Sequence, residues 1–368
     1  MTSIVDRLLL SLNSTVIDYE ILLLIIITTL GVAIFTVMAV NALIAVYFER
    51  KVSAFMQDRL GPMEVGIFGF KGGKKFWGGI GQTLADAIKL LVKEDIIPDN
   101  ADRTLMILAP FIIFTGALLT FIAVPFSSNF VISDFNIGIF YIVAMSSVGV
   151  IGIILAGWSS NNKWSLYGAM RAAAQIVSYE IPIGLSILLV VLVSGSLNIG
   201  DIVEWQSSNR WFIFHSPFTF IAFFIFFISV VAETNRTPFD IPEAESELVA
   251  GWMTEYSGFR WALFFLSEYA NMLIVCLVAS IIFLGGWLSP FHIINIFPES
   301  WYIFDGPNIG LLWLFSKAAI LIFIMMWFRW TFPRLRVDQL MYLCWKVFIP
   351  ISLFNLFFVS LWELMTNV

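Results

Sequence analysis

Phe218-Thr-Phe-Ile-Ala-Phe-Phe-Ile-Phe-Phe-Ile-Ser-Val-Val231 runs without a spacer into Ala232-Glu-Thr-Asn-Arg-Thr-Pro-Phe-Asp-Ile-Pro-Glu-Ala-Glu-Ser-Glu-Leu248. The first half reads as a membrane helix. The second gathers Glu233, Asp240, Glu243, Glu245 and Glu247, with Glu255 soon after and Arg236 as the only base among them. Negative charge at the mouth of a membrane helix is costly, so the cluster points to protons, cations or a basic partner surface. Pro238 and Pro242 break helix, which makes 235–241 extended or turned. If a helix restarts after Pro242, Glu243 and Glu247 share a face and Glu245 points elsewhere. The bland alternative is a solvated acidic helix start, favoured by the helix dipole. That accounts for one or two acids more readily than for six.

The rest of the chain fits the first half of this stretch. It is 60% hydrophobic and 12% charged, where soluble domains run near a quarter charged. Apolar runs of about twenty residues recur, so the expected fold is all-α and polytopic. Eight transmembrane helices are expected, near 21–48, 104–125, 137–158, 173–194, 217–232, 261–288, 310–328 and 339–363. No soluble domain or low-complexity linker interrupts them. Residues 1–368 therefore read as a single integral membrane domain with two notable loops, 49–103 and 233–260. Asp6, Asp18 and Glu20 stand against a lone Arg7 before the first apolar run, unlike a signal peptide, so insertion is expected through the first helix.

Orientation follows from the bases. The odd loops hold Arg50, Lys51, Arg59, Lys89, Arg103, Lys163, Arg171, Arg236, Arg260, Arg329 and their neighbours, whereas the even loops hold only Arg210. The positive-inside rule puts the odd loops on the cytoplasmic or matrix side and both termini opposite. The first odd loop contains Thr83-Leu-Ala-Asp-Ala-Ile-Lys-Leu-Leu-Val-Lys93. Leu84, Ala87, Ile88 and Leu91 fall on one face and Asp86, Lys89 and Lys93 on another, as in a helix lying in the membrane interface. An ordinary juxtamembrane helix with snorkelling lysines would look the same.

Two carboxylates lie inside spans. Glu180 is roughly 13 Å into its helix and Glu268 roughly 10 Å, at 1.5 Å per residue. Pro182, following Glu180, should free a carbonyl and interrupt the helix. Such carboxylates suit a proton relay; the structural alternative is a buried pair, for instance with Arg171 or Arg260. Lys317 and Lys346 read as relay bases or as snorkelling side chains, and Cys276 and Cys344 as small apolar fillers. Two isolated thiols cannot ligate an iron–sulfur cluster, and His215 and His292 fall in loops. The chain is expected to carry no redox metal of its own.

Several stretches together carry a resemblance. They are Glu233-Thr-Asn-Arg-Thr-Pro-Phe-Asp240, Glu243-Ala-Glu-Ser-Glu-Leu-Val-Ala-Gly251, Glu255-Tyr and Ser267-Glu-Tyr-Ala-Asn-Met272. Glu49-Arg-Lys51 with Arg59-Leu-Gly-Pro62, Ala85-Asp-Ala-Ile-Lys-Leu90 with Lys93-Glu94, and Arg329-Trp-Thr-Phe-Pro-Arg-Leu-Arg-Val-Asp-Gln-Leu-Met341 with Trp345-Lys346 join them in order. From about residue 40 to 360 the sequence resembles the family of quinone-site membrane subunits of respiratory complex I, NADH:ubiquinone oxidoreductase (chain 1, with its bacterial counterpart). Against that pattern the segment before Ile21 is long and Phe70–Ile80 is an insertion.

The resemblance implies an eight-helix subunit forming the mouth and floor of a ubiquinone tunnel, with no catalytic residue or metal of its own. It implies that Arg50, Arg59, Asp86 and Lys89 line or brace the quinone path. Glu180, Arg171, Glu233, Arg236, Asp240, Glu243, Glu245, Glu247, Glu255 and Glu268 would then begin a proton-coupling chain. NADH, FMN and iron–sulfur clusters would sit in partner subunits of a hydrophilic arm, and antiporter-like membrane subunits would lie beyond. Ubiquinone and membrane lipids are the small-molecule partners, and no nucleic acid is expected. The hydrophobicity and lack of a targeting peptide suggest the mitochondrial inner membrane, with a bacterial plasma membrane second. A stand-alone cation/proton transporter, a structural anchor for a redox arm, and the equivalent subunit of a membrane-bound hydrogenase are the competing readings.

Overall fold

The computed structural model describes residues 19–66, 78–242, 245–290 and 307–366. Among them every regular element is a helix. They are α1 Tyr19–Met56, α2 Gly81–Val92, α3 Arg103–Ala123, α4 Gly138–Ser159, α5 Lys163–Ser194, α6 Ile199–Ser208, α7 Pro217–Glu233, α8 Glu245–Leu248, α9 Gly258–Phe283, α10 Pro307–Thr331, α11 Val337–Tyr342 and α12 Ile349–Thr366. A π-helical turn, Leu343–Phe348, joins the last two. Among the described residues seven spans are long and apolar enough to cross a membrane, α11, the π turn and α12 counting as one; α7, at 17 residues, is a shorter apolar helix. The Phe70–Ile80 insertion falls largely, and the N-terminal segment almost wholly, outside the described residues.

Local chemistry sets the helix ends. Asp102 caps α3 by accepting from the amides of Thr104 and Leu105, and Ser216 and Thr219 form a capping box on α7, with Pro217 at its first position. Helix α5 begins ten residues before the expected 173. Asn162 caps it, accepting from Trp164 N at 3.0 Å. Its first turns then bury a face of small residues (Ser165, Gly168, Ala169, Ala172). Gly168 packs so closely on Gly251 that an added Cβ would lie 2.8 Å from the Gly251 Cα. This seats the 250–257 segment directly on α5.

Pro182 does not interrupt α5. Proline deprives the carbonyl four residues back of its donor, here Ser178 O. The Cys344 thiol takes that carbonyl at 3.0 Å and Trp345 Nε1 reaches Ser178 Oγ at 3.3 Å. Both residues lie in the π turn, so two backbone irregularities face and complete each other. Cys344 is thus a hydrogen-bond donor as well as a filler.

Helix α9 is the most enclosed span and α1 the least. At one end of the bundle the first loop, the α4–α5 turn, the acidic loop and the α10–α11 connection meet, through Asp102 N to Ser159 O (2.9 Å), Asn162 to Glu255 (2.6 Å) and Leu335 N to Pro238 O (3.1 Å). Lys317 marks the opposite end. Its ammonium donates to the carbonyls of Leu284, Gly286 and Leu288 at 2.6–2.9 Å and lies 4.2 Å from the Trp211 ring centre. It closes the C-terminus of α9 and does not stand as a free relay base.

Candidate functional site

Helix α1 is 38 residues long, about 57 Å at 1.5 Å per residue, well beyond the roughly 30 Å hydrocarbon core. The apolar run therefore continues as helix through Glu49, Arg50 and Lys51, which the sequence suggested were loop. Two neighbouring side chains on this extension serve two different places.

Glu49 turns inward and is buried. Both its oxygens accept from Arg236 Nη1, at 3.2 and 3.3 Å. Arg329 of α10 and the Tyr269 hydroxyl of α9 also donate to it. The Arg236 guanidinium lies 4.5 Å from the Tyr269 ring centre. Burial alone would lower the Arg236 pKa; the charge of Glu49, helped by Tyr269 and Glu268, raises it instead. Arg236 stays charged at every working pH. Removing one partner of such a pair leaves a buried charge, typically costing about 3–5 kcal/mol.

Arg50 turns the other way, to Asp86 on α2 at 2.6 Å. Gln82 and Lys89 reach the same carboxylate at 3.1 and 3.4 Å. Burial would raise the Asp86 pKa, but the hydrogen bond and charge of Arg50 outweigh it and hold the carboxyl below the usual aspartate range. Arg50, Asp86 and Lys89 lie on the wall of a cavity of about 770 Å³ between α1, α2 and the start of α9. Its remaining walls are mainly apolar, among them Phe35, Leu43, Trp261 and Leu266. The shape is an apolar slot with a polar, charged border, which suits an elongated apolar molecule with a polar head. Tyr256 also lines it; burial pushes its phenol up to about 12, against the Ser159 hydrogen bond and the Arg260 charge. Leu84, Ile88 and Leu91 of α2 are exposed, as an interfacial helix requires. Arg59 stands apart, exposed and bonded to Gln57.

The acidic loop is clamped from several sides. The buried Gln175 amide nitrogen donates to Ala232 O and Phe239 O, both at 2.8 Å, and to Asn235 Oδ1 at 3.2 Å. Asp240 pairs with Arg334 (3.1 Å), Glu247 with Arg171 (2.7 Å) and Glu255 with Asn162 (2.6 Å). Arg260 pairs with Asp95 at 2.6 Å. The two arginines suggested as partners for Glu180 or Glu268 thus form these ion pairs with Glu247 and Asp95. The restarted helix is the single turn α8, beginning at Glu245; Glu243 and the Glu245 side chain lie outside the described residues.

Glu233 and Glu268 share a smaller cavity of about 60 Å³ with Asn271, Asn235, Ser146 and Thr120. Its volume exceeds the ~10–15 Å³ that one water requires, and its polar lining suits water. Glu180, half-buried on α5, lies within electrostatic reach of Glu233. Glu49, Tyr269, Gln175, Arg329 and Arg334 are site residues to which reading the sequence gave no role, although all but Gln175 stand in the stretches that carry the resemblance. A lone glutamine in the Ala172–Val177 run was the visible signal for Gln175.

Comparisons with known proteins agree in one direction. A family model described as NADH dehydrogenase matches residues 19–360. The H subunit of NADH-quinone oxidoreductase from Chlorobaculum tepidum is 51% identical over 321 residues, 86% of this chain and 86% of the relative. The protein of the same name from Bacteroides thetaiotaomicron is 48% identical over 338 residues (90% and 88%), and that from Magnetococcus marinus 47% over 342 residues (90% and 92%).

Proposed function

The chain belongs to the NADH dehydrogenase family, among relatives of the H subunit of NADH-quinone oxidoreductase, the complex I membrane subunit, and from that premise we propose how it handles quinone and protons. The 770 Å³ cavity is the passage by which quinone, ubiquinone in the first instance, leaves the bilayer. Its apolar walls take the tail. Arg50, Asp86 and Lys89 meet the polar head at the border, and Arg59 braces the loop outside it. Partner subunits of a hydrophilic arm hold FMN and the iron–sulfur clusters, oxidise NADH and deliver the electrons. This chain supplies the passage and the proton linkage.

One observation carries the linkage. Glu49 and Arg50 are adjacent on α1; one is bonded to Arg236 of the acidic loop and the other to Asp86 on the cavity wall. Reduction of quinone to quinol consumes two electrons and two protons. A change of charge at the head is felt by Arg50, and one residue away by the Glu49–Arg236 pair. Displacing Arg236 alters the field at Glu268, and the loop's backbone leads directly to Glu233. These two carboxylates, with Glu180 beyond, then carry protons through the smaller cavity toward antiporter-like subunits. Asp240, Glu247, Glu255 and Arg171 hold the loop's shape, and Glu243 and Glu245 complete its acidic run.

The basic end faces the compartment of the reducing arm, by the positive-inside rule, and residues 1–368 act as one membrane domain. The relatives named above are bacterial, which favours a bacterial plasma membrane over the mitochondrial inner membrane that composition suggested. The passage is tested with a photoreactive quinone bound to the assembled complex. Crosslinks to α1, α2 or the start of α9 are expected; labelling confined to other parts of the chain would refute it. The linkage is tested by Glu245→Gln, which should reduce quinone reduction and proton pumping together.

A further inference from the structure

A second apolar cavity, of about 330 Å³, lies between α7 and α10 and under Pro238 of the acidic loop, away from the quinone passage. Phe227 and Phe328 meet across it, ring centres 6.2 Å apart, and Phe332 stacks edge-on to Phe328 at 5.3 Å. Among the described residues no polar side chain lines it. Along α7 the walls run from Phe223 to Val231, about 12 Å, and along α10 from Leu321 to Phe332, about 16 Å, at 1.5 Å per residue. Half of the roughly 30 Å hydrocarbon core is about 15 Å. The groove is therefore one leaflet deep and ends at the basic face of the bundle.

At that end the chain presents Arg334 and Arg336, both exposed, two and four residues beyond the wall residue Phe332. A guanidinium carries five N–H donors, and Asp240 engages Arg334 through Nη2 at 3.1 Å. Basic pockets between membrane helices on the cytoplasmic side suit anionic headgroups. A partner transmembrane helix fits the groove poorly. Helix partners in membranes pack through small residues, and these walls are built of phenylalanine. A spanning helix also needs about twenty residues, twice the groove's depth.

From this geometry we infer that the α7–α10 groove binds one acyl chain of an anionic phospholipid of the basic-side leaflet, its phosphate held by Arg334 and Arg336. The bound lipid packs under Pro238 and Phe239 and so forms part of the floor on which the acidic loop rests.

The test uses the assembled complex in nanodiscs. These contain phosphatidylglycerol or phosphatidylcholine with a diazirine at mid-chain, photolysed and mapped by peptide mass spectrometry. Phosphatidylglycerol should label peptides of 223–231 and 321–332 severalfold above phosphatidylcholine. Ile324→Trp, which fills the groove, should remove most of that labelling. Arg336→Gln should lower the preference for the anionic lipid about fivefold, the effect of one surface arginine. Equal labelling by both lipids overturns the headgroup assignment. Labelling indifferent to Ile324→Trp, or absent because a partner helix covers 223–231 and crosslinks to it instead, overturns the site. The wild-type labelling pattern decides even if both variants fail to assemble.

Discussion

Glu49→Gln is the sharpest perturbation the structure offers. It keeps the shape of the side chain and leaves Tyr269 an oxygen to donate to, but removes the charge that Arg236 and Arg329 share. The Arg236 side chain is 9% exposed and cannot find water in place of Glu49, whereas Arg329, at 33%, can. The lower end of the range for a broken buried pair, about 3 kcal/mol, therefore applies. At about 1.4 kcal/mol per decade this is roughly a hundredfold in the opening equilibrium of the loop. Hydrogen exchange on the assembled complex reads it directly at the Arg236 and Phe239 amides, which bond to Val231 O and Arg236 O. Their exchange should accelerate by about two orders of magnitude, while amides in the middle of α9 stay protected. Exchange at these two amides within about threefold of wild type would show that Glu49 does not close the loop.

Further outcomes follow from other contacts. Gln175→Leu removes the three hydrogen bonds that tie α5 to Ala232 O, Phe239 O and Asn235 Oδ1, each worth about 0.5–1.5 kcal/mol because both carbonyls keep a backbone donor, and should lower the thermal-inactivation midpoint of the complex more than Glu255→Gln does. Asp86→Asn should raise the KM for a short-tailed quinone by up to about fivefold, the worth of a half-exposed pair. Because the folded-state Asp86 pKa is depressed, its ion pair is present above the ordinary aspartate range and is lost only as pH falls through the lower value. The KM ratio of variant to wild type should therefore be flat from pH 5 to 8. Cys344→Ala should cost about 1 kcal/mol by orphaning Ser178 O, and Pro182→Ala, which restores a backbone donor to that carbonyl, should remove most of this cost in the double variant, as a thermal double-mutant cycle would record.

The spans were legible because each is a run of apolar residues with its own length, and α2 because its polar residues keep helical spacing. What lay beyond reach was long-range pairing. Glu49 and Arg236 are 187 residues apart, and Glu49 and Arg329 are 280 apart; nothing local to either shows the other. Hydropathy also ended α1 too early, since it stops at the first charges while the helix continues, supported by burial of Glu49 and Lys51. The start of α5 was missed for the same reason: Trp164, Tyr167 and Arg171 dilute its apolar character, although Asn161-Asn162 marks the cap. Pro182 was read by its ordinary consequence because the thiol that satisfies Ser178 sits on another helix. The carboxylates of 233–255 were conspicuous, but which of them face the smaller cavity and which tie the loop was decided by Gln175, Arg334 and Arg171.

Proton translocation by proteoliposomes of the complex carrying Glu268→Gln, followed with a pH-sensitive dye during NADH oxidation, bears most directly on the linkage of quinone chemistry to the membrane carboxylates. Glu268 does not line the proposed quinone passage but shares the smaller cavity with Glu233, so assembly and quinone binding should persist while pumping and quinone reduction fall together, to about a tenth or less. A fully assembled variant that reduces quinone and pumps at wild-type rates would mean that protons do not pass through this cavity.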